Sequence, residues 1–203
     1  DQTFGNVGIA KAQIAGASFV RVRSVALQSD GKIIIHGELS YGGNSSVFVA
    51  RFNGDGSIDS SFGTNGATVD YFGNSDGATD VAIQSDGKIV ATGYFNNGGS
   101  NMMYLIRYNA NGSHDASFGS NGLVLNPFST SDFASSLLFQ SDGKIITGGS
   151  AVVGSETNFA ISKFNTNGSI DTTFANNGRL TTSITSGNTS SIESLVAQAD
   201  GKL

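Results

Sequence analysis

The chain is 203 residues long and carries 11 Lys and Arg against 16 Asp and Glu, a net charge of −5. Its basic residues are scattered and several recur once per repeat (Lys32, Lys88, Lys144), which argues against a nucleic-acid groove, and no apolar run approaches the ~20 residues of a membrane-spanning helix. There is no Cys, which excludes disulfides, thiolate metal sites and cysteine nucleophiles.

Read in chain order, the sequence repeats itself. Asp1-Gln2-Thr3-Phe4-Gly5 is the tail of a signature that returns in full as NGDGSIDSSFGTNG (53–66), NANGSHDASFGSNG (109–122) and NTNGSIDTTFANNG (165–178). Out of phase with it, Gln28-Ser29-Asp30-Gly31-Lys32 recurs from Gln84, Gln140 and, as QADGK, Gln198, after 56, 56 and 58 residues. A fixed period of this length means one supersecondary unit stacked on copies of itself. We divide the chain into repeats 1–58, 59–114, 115–170 and an incomplete 171–203.

Each unit reads as four short strands. In the second unit they are Ala67–Tyr71, Val81–Gln84, Lys88–Phe95 and Met102–Tyr108, rich in aliphatic and aromatic residues and bounded by Asn-Gly, Asp-Gly and Gly-Gly. Asp86-Gly87 predicts a tight hairpin, because such turns need positive φ. The third strand is apolar on both faces (Ile33-Ile34-Ile35, Ile89-Val90-Ala91, Ile145-Ile146), which predicts burial between two layers. Gly37, Gly93 and Gly149 recur beside it, where close backbone approach would exclude a side chain. Four antiparallel strands per unit fit a β-propeller blade, and no helical periodicity competes. In this phase the chain holds three full units and the first half of a fourth. Propellers close with about 4–8 blades, and the half units of two copies would not complement each other. The expectation is an open propeller segment of a longer protein.

With both signatures in view, the chain resembles the delta-60 repeat family, of the form Q-x-D-G-K-I … G … R-[FY]-N-x-[DN]-G-S-x-D-x-[ST]-F-G-x-x-G. The match runs through Arg51–Gly66, Arg107–Gly122 and Lys163–Gly178, departing at Lys163 for Arg and at Ala175 for Gly. The resemblance implies β-propellers in secreted or cell-surface bacterial proteins. It implies export through a type IX route as one option, and it supplies no catalytic residues.

The acidic linker poses the first chemical question. Asn53, Asp55 and Asp59 place oxygens at alternate positions, as a calcium loop does, but calcium wants six to eight oxygen ligands with several carboxylates. Asp55 becomes Asn111 and Asn167 in later copies, so an Asx turn with Asp59 bonding local amides is the preferred reading, and no cofactor is expected. Phe62, Phe118 and Phe174, with Phe4, are expected to wedge between blades. Arg51, Arg107 and Lys163 are expected to pair with a loop Asp or donate to turn carbonyls. His36 and His114 are the only histidines, neither recurs, and both read as incidental. No nucleophile elbow, zinc motif or phosphate loop is present, so no enzyme is expected from these residues.

Strand direction alternates within a blade, so the loops after strands two and four share one face and those after strands one and three share the other. The first pair are constant in sequence; the second pair vary (41–46, 71–80, 96–101, 128–136, 152–158). A partner would be read on the variable face. The residues expected to read it are Tyr41, Asn44, Tyr71, Phe72, Asn74, Asp76, Tyr94, Asn96, Asn97, Asn101, Asp132 and Glu156. The functional expectation is a non-enzymatic secreted or surface scaffold that binds a protein or glycan, with a passive spacer in a large adhesin, or part of an enzyme whose catalytic residues lie elsewhere, as alternatives.

Overall fold

The computed structural model describes every residue except 42, 74, 97, 126–130, 184–188, 199 and 201. Among the described residues there are twelve strands and no helix. They form three four-stranded antiparallel sheets, each ordered as in the sequence. The first holds β1 (Ala17–Leu27), β2 (Ile33–Tyr41), β3 (Asn44–Phe52) and β4 (Ala67–Asp70). The second holds β5 (Ser75–Ile83), β6 (Ile89–Asn96), β7 (Asn101–Tyr108) and β8 (Leu123–Leu125), and the third β9 (Asp132–Phe139), β10 (Ile145–Val153), β11 (Glu156–Phe164) and β12 (Arg179–Thr182). This is an all-β propeller whose sheets stack without closing a ring.

The hairpin before each second strand follows from its sequence. Gln28 N–H donates to Lys32 O (2.8 Å), Gly31 N–H donates to Gln28 O (3.0 Å), and Asp30 Oδ1 accepts Lys32 N–H (3.1 Å). Gly31, Gly87 and Gly143 sit at φ 84°, 82° and 78°, the left-handed geometry that requires glycine there. Farther along that strand, a Cβ on Gly37, Gly93 or Gly149 would stand 2.1, 2.0 or 1.9 Å from a first-strand carbonyl oxygen. The close approach expected at these positions is therefore present, beside a β-bulge that inserts one residue between Val22 and Ser24, and between Ala78 and Asp80.

The strand phase differs from the expectation. Ala67–Asp70, read as the first strand of the second unit, pairs with β3 (Phe48↔Val69) and closes the first sheet instead. Leu123–Leu125 and Arg179–Thr182 likewise complete the second and third sheets. The linker causes this, because it folds back on its own strand. Asp59 N–H donates to Arg51 O (2.9 Å) and Arg51 N–H donates to Gly66 O (3.0 Å), so the chain leaving Gly66 has only β3 beside it. The three sheets are thus complete. Residues 189–197, in place of a half blade, take the first-strand position of a further unit without forming a strand.

Two cores lie between the sheets. Ile34, Val47 and Val49 of the first sheet meet Val81, Ile89, Tyr104 and Ile106 of the second, with Phe62 fully buried among them. Val90, Met103 and Leu105 meet Ala134, Leu137, Ile145 and Phe164 in the same way, around Phe118. First strands β1, β5 and β9 pack side by side, joined by an unanticipated polar rail: Val81 N–H donates to Ser24 Oγ (3.4 Å), Leu137 N–H to Asp80 Oδ2 (2.9 Å) and Leu195 N–H to Ser136 Oγ (3.2 Å).

Candidate functional site

The loops after β1 and β3, and their counterparts, gather at one end of the sheets and those after β2 and β4 at the other. The shift in phase leaves the division between constant and variable faces intact, because both readings alternate direction along the same chain.

At the constant end every linker builds the same cluster. Asp59 Oδ2 accepts Arg51 Nε (2.8 Å) and Lys32 Nζ (2.7 Å), while its Oδ1 accepts Ser61 N–H (3.1 Å) and the Ser61 hydroxyl. Asp115 does the same with Arg107 (2.8 Å) and Lys88 (2.9 Å), and Asp171 with Lys144 (2.8 Å) and, more distantly, Lys163 (3.8 Å). The Lys32 ammonium and Ser61 hold the Asp59 carboxyl well below the usual carboxylate range. Burial alone would raise Asp115, but Lys88, Ser117 and Arg107 outweigh it and depress that carboxyl too. Lys144 and Thr173 lower Asp171 to about 2.

The arginines also donate across to the next unit, Arg51 Nη1 to Ala110 O (2.5 Å) and Arg107 Nη1 to Thr166 O (2.6 Å). Each stacks over its linker phenylalanine, Phe62 at 4.7 Å and Phe118 at 4.4 Å. Both roles expected for the arginines, and the wedge expected of Phe62 and Phe118, are therefore present; Phe4 and Phe174 are half-buried and join neither inter-sheet core.

Asn53 and Asp55 turn inward on the loop itself. Asp55 Oδ1 accepts Ser57 N–H (2.9 Å) and Asn53 Nδ2 donates to Ser57 Oγ (3.0 Å), an Asx-turn arrangement. Asp59 lies in the ion-pair cluster instead, so the three calcium candidates do not converge. Among the described residues no three His or carboxylate side chains do.

The stretches that carry the hairpin, the ion-pair cluster and the linker phenylalanine each match a known repeat. Residues 28–62, 84–118 and 140–174, 105 of the 203, match a domain of unknown function (DUF5122) beta-propeller. The chain belongs to this family. No curated protein matches it. Each DUF5122 match spans the constant hairpin, the two middle strands and the linker through its phenylalanine; it leaves out the connection in which Tyr71 and Phe72 lie.

At the variable end of the DUF5122 sheets, the expected readers divide. Tyr41 ends β2 opposite Asn44 in register, and Tyr71 follows β4. The two tyrosines are 56% and 55% exposed and line one open groove of about 340 Å³ with Asn44, Ser46, Val69 and Ile14. Other residues are drawn into the fold. Phe72 packs on Tyr104 (ring centroids 5.0 Å) and Phe95 (6.3 Å), at the edge of the first inter-sheet core. Tyr94 meets Phe133 of the third sheet edge-on at 4.9 Å. Asp76 and Asp132 are buried at equivalent positions. Asp76 Oδ2 accepts Phe72 N–H (2.8 Å), and burial pushes its carboxyl up to about 6.

Asn96 Nδ2 donates to Asn101 Oδ1 (3.0 Å), and Asn96 Oδ1 accepts Gly98 N–H (2.9 Å), which holds the β6–β7 hairpin. Glu156 is half-buried opposite Val153 at the β10–β11 turn. Asn74 and Asn97 lie outside the described residues. Their place on the variable face marked all of these as surface residues; only register against a neighbouring sheet separates buried from exposed.

Both histidines have partners that the sequence concealed. His36 is fully buried between the first two sheets, with Nδ1 2.8 Å from Phe48 O and Nε2 3.2 Å from Tyr104 Oη, and burial lowers its pKa. His114 Nε2 lies 2.8 Å from Asp70 Oδ1, while Asp70 Oδ2 accepts the Tyr108 hydroxyl (2.6 Å). The one available signal for His36 was its alignment with Thr92, whose hydroxyl donates to Tyr104 O (2.7 Å) as His36 bonds Phe48 O.

Proposed function

We propose that this chain is a non-enzymatic binding scaffold of the delta-60 type, on a secreted or cell-surface bacterial protein, and that its variable loops read a protein or glycan. The observation that carries this reading is the Tyr41–Tyr71 groove. Two tyrosines, each more than half exposed, flank one groove with an amide and a hydroxyl beside them; Tyr71 lies outside the stretches that match the family model, while Tyr41 and Asn44 lie within the first. Rigid amphipathic rings next to small polar groups suit peptide or sugar recognition, since Tyr gives large contact area at low entropic cost. The constant end supports the division of labour, because Lys32, Lys88 and Lys144 and the strand-end Arg51 and Arg107 are engaged in ion pairs with Asp59, Asp115 and Asp171. The test is a carbohydrate and peptide array probed with the native chain and with Tyr41→Ser/Tyr71→Ser. Signals lost in the variant support the reading; signals that survive it place recognition elsewhere.

The burial of Phe72, Asp76 and Asp132 and the packing of Tyr94 favour a second reading, a passive spacer in a large adhesin exported by a type IX route. That reading expects no array signal from either protein.

A further inference from the structure

Seven asparagines in the chain are followed directly by glycine. Such a bond carries its own reactive pair: the glycine nitrogen can attack the asparagine amide carbon, and glycine, with no Cβ, hinders that approach least. A nitrogen whose N–H is held in a hydrogen bond must give that bond up before it reacts. The seven bonds differ in this respect.

In six of them the glycine N–H is committed. Asn65, Asn121 and Asn177 stand in the left-handed region at φ 52°, 51° and 51°. The glycines after them, Gly66, Gly122 and Gly178, donate to Phe62 O (2.8 Å), Phe118 O (2.8 Å) and Phe174 O (2.7 Å). Gly112 and Gly168, after Asn111 and Asn167, donate to Asn109 O and Asn165 O, both at 2.9 Å. Gly98, which follows Asn97, donates to Asn96 Oδ1 (2.9 Å).

The exception is Gly54. It is exposed, and its N–H donates to no acceptor among the described residues. Asn53 itself is held on both sides, its N–H donating to Ser57 O (2.8 Å) and its carbonyl accepting Gly56 N–H (2.9 Å). The equivalent asparagines of the later linkers, Asn109 and Asn165, are followed by Ala110 and Thr166, whose side chains crowd the nitrogen.

We propose that Asn53 is a site of spontaneous covalent modification, an intramolecular deamidation from which the fold protects the other six bonds. Gly54 N forms a bond to Asn53 Cγ, the Cγ–Nδ2 bond breaks, and the side-chain nitrogen leaves as ammonia with the Gly54 proton. Water opens the resulting five-membered imide at either carbonyl. One opening gives aspartate on the original backbone; the other gives isoaspartate, with the chain rerouted through the side chain. Water is the only co-reactant, and nothing is oxidised or reduced.

The modification marks one linker among three otherwise equivalent ones. Asn53 Nδ2 donates to Ser57 Oγ (3.0 Å), whose hydroxyl donates to Asp55 Oδ1 (2.6 Å). Deamidation replaces that donor with a carboxylate and adds a negative charge beside Asp55. The isoaspartate form also adds a backbone carbon directly after β3, ahead of the bond from Asp59 N–H to Arg51 O that folds the linker back.

The test is peptide mapping by mass spectrometry of the native chain aged at mildly alkaline pH, in buffer and in urea. In buffer Asn53 should convert about tenfold faster than any other asparagine before glycine, the factor that a hydrogen bond of about 1.4 kcal/mol supplies. In urea, where the fold no longer protects any of them, all should convert at similar rates. Gly54→Ala, which installs the residue of the second linker, should slow Asn53 to the rate of Asn109. Another asparagine converting in buffer as fast as Asn53, a preference for Asn53 that persists in urea, or an unchanged rate in Gly54→Ala would each overturn the proposal.

Discussion

Phe118→Ala should be among the most damaging single truncations in the molecule, and Phe174→Ala should be mild, although the two residues occupy the same place in the repeat. Phe118 is fully buried, shares a core with Val90, Met103 and Leu105 on one side and Ala134, Leu137 and Phe164 on the other, and carries the Arg107 guanidinium 4.4 Å above its ring. Truncating a buried Phe to Ala costs about 3–5 kcal/mol through lost burial and the cavity left behind. Losing the stacked cation adds about 0.5–2 kcal/mol. Phe174 is half-buried, with Lys163 Nζ 5.9 Å from its ring centroid, so its truncation should cost roughly 1–2 kcal/mol. Urea unfolding followed by far-ultraviolet circular dichroism would measure both, and for a chain of this size the gap corresponds to roughly 10 °C in Tm. Equal losses at the two positions, or a neutral Phe118→Ala, would refute the inter-sheet wedge.

Gly93→Val should unfold the second sheet locally, because its Cβ would stand 2.0 Å from Gly77 O; an unchanged melting temperature would count against that contact. Ala175 holds φ 44° where the other linkers have Gly at 55° and 52°, so Ala175→Gly should stabilise by about 1 kcal/mol, and a loss in thermal melts would contradict the strain. Asp171 has a folded pKa of about 2, below the unfolded value of 3.8, so its contribution is present above 3.8 and is lost as pH falls towards 2. The melting gap between native chain and Asp171→Asn should therefore close across that window; a constant gap would refute the ion-pair origin. Asp76 has the opposite sign: raised to about 6, it favours the fold below 3.8 and loses that contribution as pH rises through 6. Asp76→Asn should accordingly gain on the native chain between pH 4 and 7.

Much of this architecture can be read from periodicity. The Asp-Gly hairpins, the twice-apolar middle strand, the Gly93 close approach and the Arg–Asp linker pairs each rest on short-range chemistry that one repeat displays and the next repeats. The strand phase could not be read this way. Ala67–Asp70 has the same composition whether it opens one sheet or closes another, and the choice is made by backbone bonds from Arg51 to Asp59 and Gly66 that no side-chain pattern announces. The candidate site was half legible for a related reason. Tyr71 and Phe72 are adjacent aromatics in one variable loop, yet one is exposed and the other reaches Tyr104. His36 and the Ser24–Asp80–Ser136 rail depend on contacts between units, where a repeat unit read alone gives no signal.

The central claim is that the two ends of the sheets have different work, the constant end holding the fold and the variable end meeting a partner. The most direct measurement probes peptide and carbohydrate arrays with three proteins in parallel: the native chain, Tyr41→Ser/Tyr71→Ser, and Ser29→Glu/Ser85→Glu/Ser141→Glu, whose substitutions lie at exposed constant-face turns. The account predicts that the tyrosine variant loses the native signals while the glutamate variant keeps them. Retention by the tyrosine variant with loss by the glutamate variant would contradict it and move recognition to the opposite face.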